Sequence, residues 1–392
     1  MFILRRIALG ATLFLAACST GPRVIPEANR PAPAEKPVER PPVRPIQPGL
    51  PQDVERHRIA LLVPLTGANA GVGKSLQNAT QLAVLDTRSD ALRITSYDTS
   101  GPGGAAAAAT QAIADGNRLI LGPLLAEDAR AVAPIARRAR VPVLSFSNDV
   151  TAAGGGTFLL GYSPVQSIER VVDYAKASGI TDFAGLMPTG VYGERAATVF
   201  LRAVEGAGGK VLALETFDGR PGSMSGAIAK LGRSPYQAIL IAGSAESAVL
   251  AAPIIRRTGG KTARLLGPDL WNTDSGIGSK AVLAGAWFAS VPDNYYRQYA
   301  TKYRARFGNA PYRLSTLGYD AVLLTVRIAR DWRPGDEFPA SRLTDRDGFS
   351  GLDGAFRFGR DGVAERALEV QEVKGGTTVT VSPAPANFNG NQ

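Results

Sequence analysis

The chain has 392 residues, of which 45% are hydrophobic, and a formal net charge of +10, so it can bury a core for two or three domains. A single cysteine excludes a disulfide framework and a thiolate metal cluster, and a single histidine excludes most imidazole chemistry. No cluster of basic residues is interleaved with aromatic residues, so nucleic-acid binding is not expected.

The first eighteen residues predict a signal peptide. Two arginines precede an apolar core at residues 7–17, which is shorter than the roughly 20 residues that span a bilayer. Residues 15–18, Leu-Ala-Ala-Cys, resemble the bacterial lipobox, and Cys18 is the predicted lipidation site. An ordinary signal peptide is the alternative. Because Ser19 rather than aspartate follows, resemblance to Gram-negative lipoproteins implies an outer-membrane anchor, with the protein facing the periplasm.

The next segment has the composition of a tether. Residues 19–56 contain ten prolines and mixed charges without apolar periodicity, which is typical of a chain that cannot bury enough surface to fold. We therefore predict a disordered spacer over residues 19–57, in which His57 is an exposed linker residue. A proline-rich spacer of this length reaches at most roughly 120 Å.

From residue 58 onward, short apolar runs alternate with helical patterns. The apolar runs are typical of strands buried on both faces of a parallel sheet, and repeated βα units predict right-handed crossovers. Two such series, followed by helices and an antiparallel tail near 354–381, predict two doubly wound α/β lobes. The predicted strands lie at 59–63, 92–97, 119–121, 141–146, 183–187, 211–216, 238–241, 264–266 and 287–291.

Several short motifs appear along this region in a fixed order. They lie at residues 59–67, 121–123, 141–145, 192–193, 318–322, 351–354, 356–358 and 361–362. Together they resemble the leucine/isoleucine/valine-binding branch of the type I periplasmic-binding fold, over roughly residues 58–375. The resemblance implies a protein that is not an enzyme. The resemblance implies two Rossmann-like lobes joined by three crossings, with a ligand in the interlobe cleft.

The resemblance also implies lobe boundaries. One lobe is expected to hold about 58–161 and 292–333, and the other about 162–291 and 334–382. Residues 383–392 are expected to form a flexible tail.

Residues 67–75, GANAGVGKS, invite comparison with a phosphate-binding loop. That loop requires four residues between its two glycines, and here Gly67 lies one position too early. Triad chemistry would depend on His57 alone, and no acidic cluster has the spacing of a metal site. We therefore predict neither an enzyme nor a bound metal or cofactor.

The ends of the predicted strands carry the candidate ligand-binding residues, because ligands of open α/β sheets lie beyond those ends. Hydroxyls and amides at helix starts suit a carboxylate, Tyr192 offers a stacking face, and Glu246 suits an ammonium group, which together describe an α-amino acid. Alternatively, the serines are helix caps or turn formers. The candidates are Thr66, Gly67, Leu124, Ser145, Ser147, Asn148, Tyr192, Glu246, Asp269 and Trp271.

One departure from the family pattern separates two functional hypotheses. After Gly122-Pro123, the amino-acid-binding family has a hydroxyl residue at the ligand carboxylate, whereas this chain has Leu-Leu-Ala at residues 124–126. With the anchor and tether, this favours resemblance to the penicillin-binding protein activator family, whose partner is a peptidoglycan synthase. The alternative is the substrate-binding protein of an ABC importer for branched-chain or other amino acids, with an amino-acid-like ligand in the cleft.

Overall fold

A computed structural model describes residues 55–386 and 388. The predicted signal peptide at 1–18, the lipidation site Cys18 and most of the predicted tether lie outside the described residues. Of the predicted tail, residues 387 and 389–392 also lie outside them, and residues 383–386 have no regular secondary structure. In the described part of the chain, no helix is both long enough and apolar enough to cross a membrane.

The first lobe is built on a five-stranded sheet in the order β2-β1-β3-β4-β5, with every pairing parallel. Leu61 and its neighbours in β1 are fully buried, because helices cover both faces of the sheet. Its elements are β1 His57–Val63, α1 Ala70–Thr87, β2 Leu92–Asp98, α2 Gly104–Ala114, β3 Leu119–Leu121, α3 Ala126–Arg138, β4 Val143–Ser145 and β5 Thr157–Leu159.

The second lobe is built on a seven-stranded sheet in the order β15-β14-β10-β9-β8-β6-β7. Strands β6 to β10 pair in parallel, and β14 adds antiparallel to β10. Its elements are α4 Pro164–Ala177, β6 Asp182–Pro188, α5 Val191–Gly206, β7 Lys210–Phe217, α6 Ser223–Leu231, β8 Ala238–Ile241, α7 Ala245–Arg257, β9 Arg264–Gly267, β10 Trp287–Ser290, β14 Glu369–Lys374 and β15 Thr377–Ser382.

The remaining elements belong to the core of the first lobe. Phe349, Phe356 and Phe358 are buried in one cluster with Leu61 and Leu317. Residues 334–382 were predicted to belong to the second lobe. That prediction is wrong for the three-stranded antiparallel sheet within this range, because only β14 and β15 pair with the sheet of the second lobe. These elements are α8 Asn294–Phe307, α9 Thr316–Ala329, and the antiparallel strands β11 Phe349–Gly351, β12 Gly354–Phe358 and β13 Ala364–Arg366.

The prediction that His57 is an exposed linker residue is wrong. It is the first residue of β1, is 3% exposed, and stacks on Trp332 with 3.9 Å between ring centroids. Burial lowers the pKa of His57 below its ordinary value. The strand begins earlier than its apolar run because the His57 amide donates to the carbonyl of Ala91, at 2.7 Å.

Candidate functional site

The two lobes face each other across an interlobe cavity of about 350 Å³. The first lobe contributes the turn before α1, the segment between β3 and α3, and the segment after β4. The second lobe contributes the segment after β9, so strand ends from both sheets meet at the cavity, as expected for α/β folds. The lining is Asn69, Val72, Leu124, Leu125, Phe146, Asn148, Tyr162, Asp269, Leu270, Asn272, Thr273, Ser290, Val291, Arg313 and Leu314.

The apolar wall of this cavity comes from the start of α3. Leu125 occupies the N-cap position and provides no side-chain hydrogen bond to the helix. Glu127 and Asp128 lie in the first turn, where their negative charge complements the helix dipole. The structure places Leu124 in the lining, so this wall is suited to an apolar part of a ligand.

The predicted hydroxyl residues are engaged within the first lobe. The Ser145 hydroxyl donates to the Pro123 carbonyl at 2.9 Å, and the Ser147 hydroxyl accepts from the Asp149 amide at 3.1 Å. Thr66 is exposed and donates its hydroxyl to Asp98 at 2.7 Å. None of these three side chains belongs to the cavity lining, so they act as turn formers, which is the alternative that the sequence left open.

Three further candidates also lie outside the lining. Gly67 is exposed in the turn before α1, with φ 72°, and Glu246 is exposed in the first turn of α7. Trp271 is fully buried in the core of the second lobe, beside Phe288. Its large apolar ring is therefore part of the core and not of the cleft.

Asp269 does reach the cavity. Its carboxylate accepts from the Ser167 hydroxyl at 2.8 Å and has no ion-pair partner among the described residues. Burial raises the pKa of Asp269 to about 6, against the opposing effect of the Ser167 hydrogen bond. The charge of Arg366 also acts to lower this pKa, but no cation forms an ion pair with Asp269 in the described part of the chain. A carboxylate in such a place would be stabilised by a cation.

Tyr192 lines a neighbouring cavity of about 240 Å³, which shares Asn148 with the first. The Tyr192 hydroxyl is buried without a hydrogen-bond partner in the described part of the chain. Burial raises the pKa of Tyr192 far above its ordinary value, and the charge of Asp269 acts in the same direction.

Arg313 is a lining residue that the sequence did not reveal. It is 8% exposed, and its guanidinium donates to Asp353 at 2.8 Å and to Asp293 at 3.3 Å. The Tyr162 hydroxyl donates to the same Asp353 carboxylate at 2.5 Å. Arg313 precedes α9 without a local motif, although Asp353 lies within the motif at 351–354.

A second buried pair adjoins Arg313 where the chain crosses between lobes. Arg366 donates to the Leu160 carbonyl at 2.7 Å and lies 4.0 Å from Asp320. Burial and the neighbouring Asp353 charge raise the pKa of Asp320, whereas Arg313 and Arg366 outweigh burial and hold the pKa of Asp353 below its ordinary value. These charges tie the crossing segments into one rigid support for the cavity.

An ion pair connects the lobes at the side of the cleft. Arg195 in α5 donates to Asp149 at 2.6 Å, and Arg130 in α3 donates to the other oxygen of Asp149 at 2.9 Å. Burial alone would raise the pKa of Asp149, but hydrogen bonds from Thr151 and Arg195 outweigh it and hold that pKa far below its ordinary value. This contact holds α5 of the second lobe against the loop that carries Asn148.

A second interlobe cavity, of about 560 Å³, adjoins the first through Asn272, Thr273 and Arg313. Its lining is mainly polar and includes charged groups, hydroxyls and glycine-rich backbone. Among the described residues, no group of three or more His, Cys, Asp or Glu side chains could hold a metal ion. The arrangement can therefore enclose and orient a small molecule through apolar contact, hydrogen bonding and charge.

Comparison with known proteins agrees with this architecture. An uncharacterized protein of Rickettsia prowazekii is 24% identical over 339 residues, which cover 83% of this chain and 88% of that relative. A leucine binding protein of Thermotoga maritima is 21% identical, with a TM-score of 0.63 and coverage of 84% of this chain and 98% of that chain. A putative branched-chain amino acid ABC transporter protein of Rhodospirillum rubrum is 20% identical, with a TM-score of 0.74 and coverage of 83% and 100%.

The likeness to these solved structures concerns the fold, and it confirms the predicted two-lobed α/β architecture. The family model described as periplasmic binding protein matches residues 57–378, which is most of the chain. The chain therefore belongs to the periplasmic binding protein family.

Proposed function

We propose that the protein is the substrate-binding component of an ABC importer. Its ligand is an amino acid or a related amine with an apolar side chain, held in the interlobe cavity. The observation that carries this proposal is the pairing of an apolar wall with a carboxylate that lacks an ion-pair partner among the described residues, Asp269. The names of the similar solved structures, which include leucine and branched-chain amino acid binding, support the same class of ligand.

Each part of the cavity has a physical role in this proposal. Leu124, Leu125 and Phe146 would remove the ligand's apolar surface from water, at about 25 cal/mol per Å². Asp269 would pair with the ligand's ammonium group and be relieved of an uncompensated buried charge. Because both lobes contribute to the lining, ligand binding would favour the closed arrangement of the two lobes.

A second candidate function is regulation of a peptidoglycan synthase. It is favoured by the apolar Leu124 and Leu125 where the amino-acid-binding family has a hydroxyl residue. A lipid anchor at Cys18, an outer-membrane location and a long tether would allow the folded body to reach such a partner. Pull-downs from crosslinked envelopes test this candidate, which fails if no peptidoglycan synthase is recovered.

Titration calorimetry of the full-length protein in detergent tests the importer proposal. Leucine, isoleucine and polar amino acids are titrated, and micromolar binding of an apolar amino acid is expected. Asp269→Asn should weaken that binding by at least about tenfold, because a charged hydrogen bond is lost. The matched control Asp331→Asn, at an exposed surface ion pair, should leave binding unchanged. Absence of binding by every amino acid and every related amine would contradict the proposal.

A further inference from the structure

The interlobe space is larger and more polar than an apolar amino acid requires. The apolar cavity of about 350 Å³ adjoins the polar cavity of about 560 Å³. Asn272, Thr273 and Arg313 belong to both linings, so the two cavities are adjacent compartments of one cleft. Both volumes lie in the range of small-molecule sites, and together they suit an elongated ligand.

Most charges that line this cleft already have partners. Arg313 lies between Asp353 and Asp293, at 2.8 and 3.3 Å, which neutralise it. Asp274 in the polar compartment lies 3.9 Å from Lys280. These charges are already balanced within the protein: the pairing of Arg313 compensates the cost of its burial, whereas the Lys280 and Asp274 side chains are 41% and 36% exposed.

Among the described residues, two lining charges have no ion pair, and they lie in different compartments. Asp269 lines the apolar compartment, and Arg297 of α8 lines the polar one. Arg297 is exposed at the rim of this compartment, and its charge attracts the buried Glu369. A ligand that satisfies both charges therefore carries a positive and a negative group farther apart than in an α-amino acid.

The surroundings of the two charges give the ligand a direction. Leu124 and Leu125 adjoin the compartment of Asp269, so an apolar group belongs beside the ligand's cation. Around Arg297, hydroxyl groups such as those of Thr377 and Thr378 can hydrogen-bond to amide groups.

We propose that the cleft binds a short peptide with an apolar first residue. Its ammonium group pairs with Asp269, its first side chain packs on Leu124 and Leu125, its backbone passes Arg313, and its terminal carboxylate pairs with Arg297. This inference rests on the proposed binding function and specifies the class of ligand.

The test is calorimetric titration of the full-length protein with leucine, leucylglycine, leucylglycylglycine and the amide of leucylglycylglycine, together with peptides that begin with valine or phenylalanine. The best peptide is expected to bind at least about tenfold more tightly than its free first amino acid, and amidation should remove that advantage. Arg297→Gln should weaken the peptide by about tenfold without changing the amide or the free amino acid. Arg304→Gln, an exposed cation on the same helix outside the polar compartment, is the matched control and should change nothing.

Each contrary result identifies what fails. If free leucine binds as tightly as every peptide, the peptide inference is overturned and the importer proposal stands. If peptides bind but Arg297→Gln has no effect, the assigned carboxylate position is wrong and the inference is overturned as well. If neither amino acids nor peptides bind, both the inference and the proposed function fail.

Discussion

The buried charge network at the lobe crossing allows a quantitative test through Asp353→Asn. Asp353 is fully buried and accepts hydrogen bonds from Arg313 at 2.8 Å and from Tyr162 at 2.5 Å. The substitution conserves side-chain volume and removes one negative charge. Of its two ion pairs among the described residues, Arg313 would then keep only the longer one, with Asp293 at 3.3 Å.

The expected cost follows from the burial of both partners. Side chains of Arg313 and Asp353 are 7% and 0% exposed, so solvent cannot replace the lost charge. Removing one member of a buried ion pair costs about 3–5 kcal/mol of the free energy of unfolding. That is a large fraction of the roughly 5–15 kcal/mol typical of a folded domain.

Urea denaturation, followed by circular dichroism, measures this cost as a shift of the transition midpoint with the slope unchanged. The control is Asp331→Asn, which makes the same chemical change at a surface ion pair with Arg342. There the aspartate side chain is 60% exposed, so the expected loss is below about 1 kcal/mol. Equal effects of the two substitutions would refute the reasoning that burial decides the value of the pair.

Three further predictions concern the cleft and its support. Affinity for an amine ligand should fall by up to about tenfold per pH unit below pH 6, because protonation of Asp269, whose pKa is about 6, removes the negative charge. Calorimetry across pH 5–8 should show this dependence in the unmodified protein and not in Asp269→Asn. Gly73→Ala should lower the free energy of unfolding, measured by urea denaturation, by at least about 3 kcal/mol, because its Cβ would lie 1.7 Å from the Pro64 carbonyl oxygen. The control Gly226→Ala, whose Cβ would have nothing within 4 Å, should be neutral or stabilising, and similar losses in the two variants would contradict this. Arg195→Gln should weaken ligand binding about two- to fivefold and increase the radius of gyration of the ligand-free protein in small-angle scattering, because the ion pair between the lobes is lost. No change in either measurement would contradict this role of Arg195.

The locally encoded parts of the fold could be predicted from the sequence. The apolar run at 59–63 lies within β1, and the alanine-rich segment at 105–114 lies within α2. Strand and helix periodicities are properties of neighbouring residues, so they are visible without tertiary contacts. The order of βα units then restricted the topology to a doubly wound arrangement.

Short elements and lobe membership could not be predicted in the same way. Strands β11 and β13 have three residues each and mix apolar with polar or small residues, so they lack the continuous apolar run that predicted the equally short β3. Their structure depends on pairing with β12, and their lobe depends on where Phe356 finds an apolar partner. The lobe boundaries implied by the family resemblance therefore place this segment in the wrong lobe.

The candidate site shows the same division. The sequence by itself determined that strand ends would line a cleft, and Leu124, Asn148 and Asp269 lie there for that reason. Only the tertiary structure decided that Trp271 is core and that Arg313 lines the cavity, paired with an aspartate 40 residues away. A partner at that separation is chosen by packing, because burial of a charge requires compensation by whichever opposite charge the fold brings near.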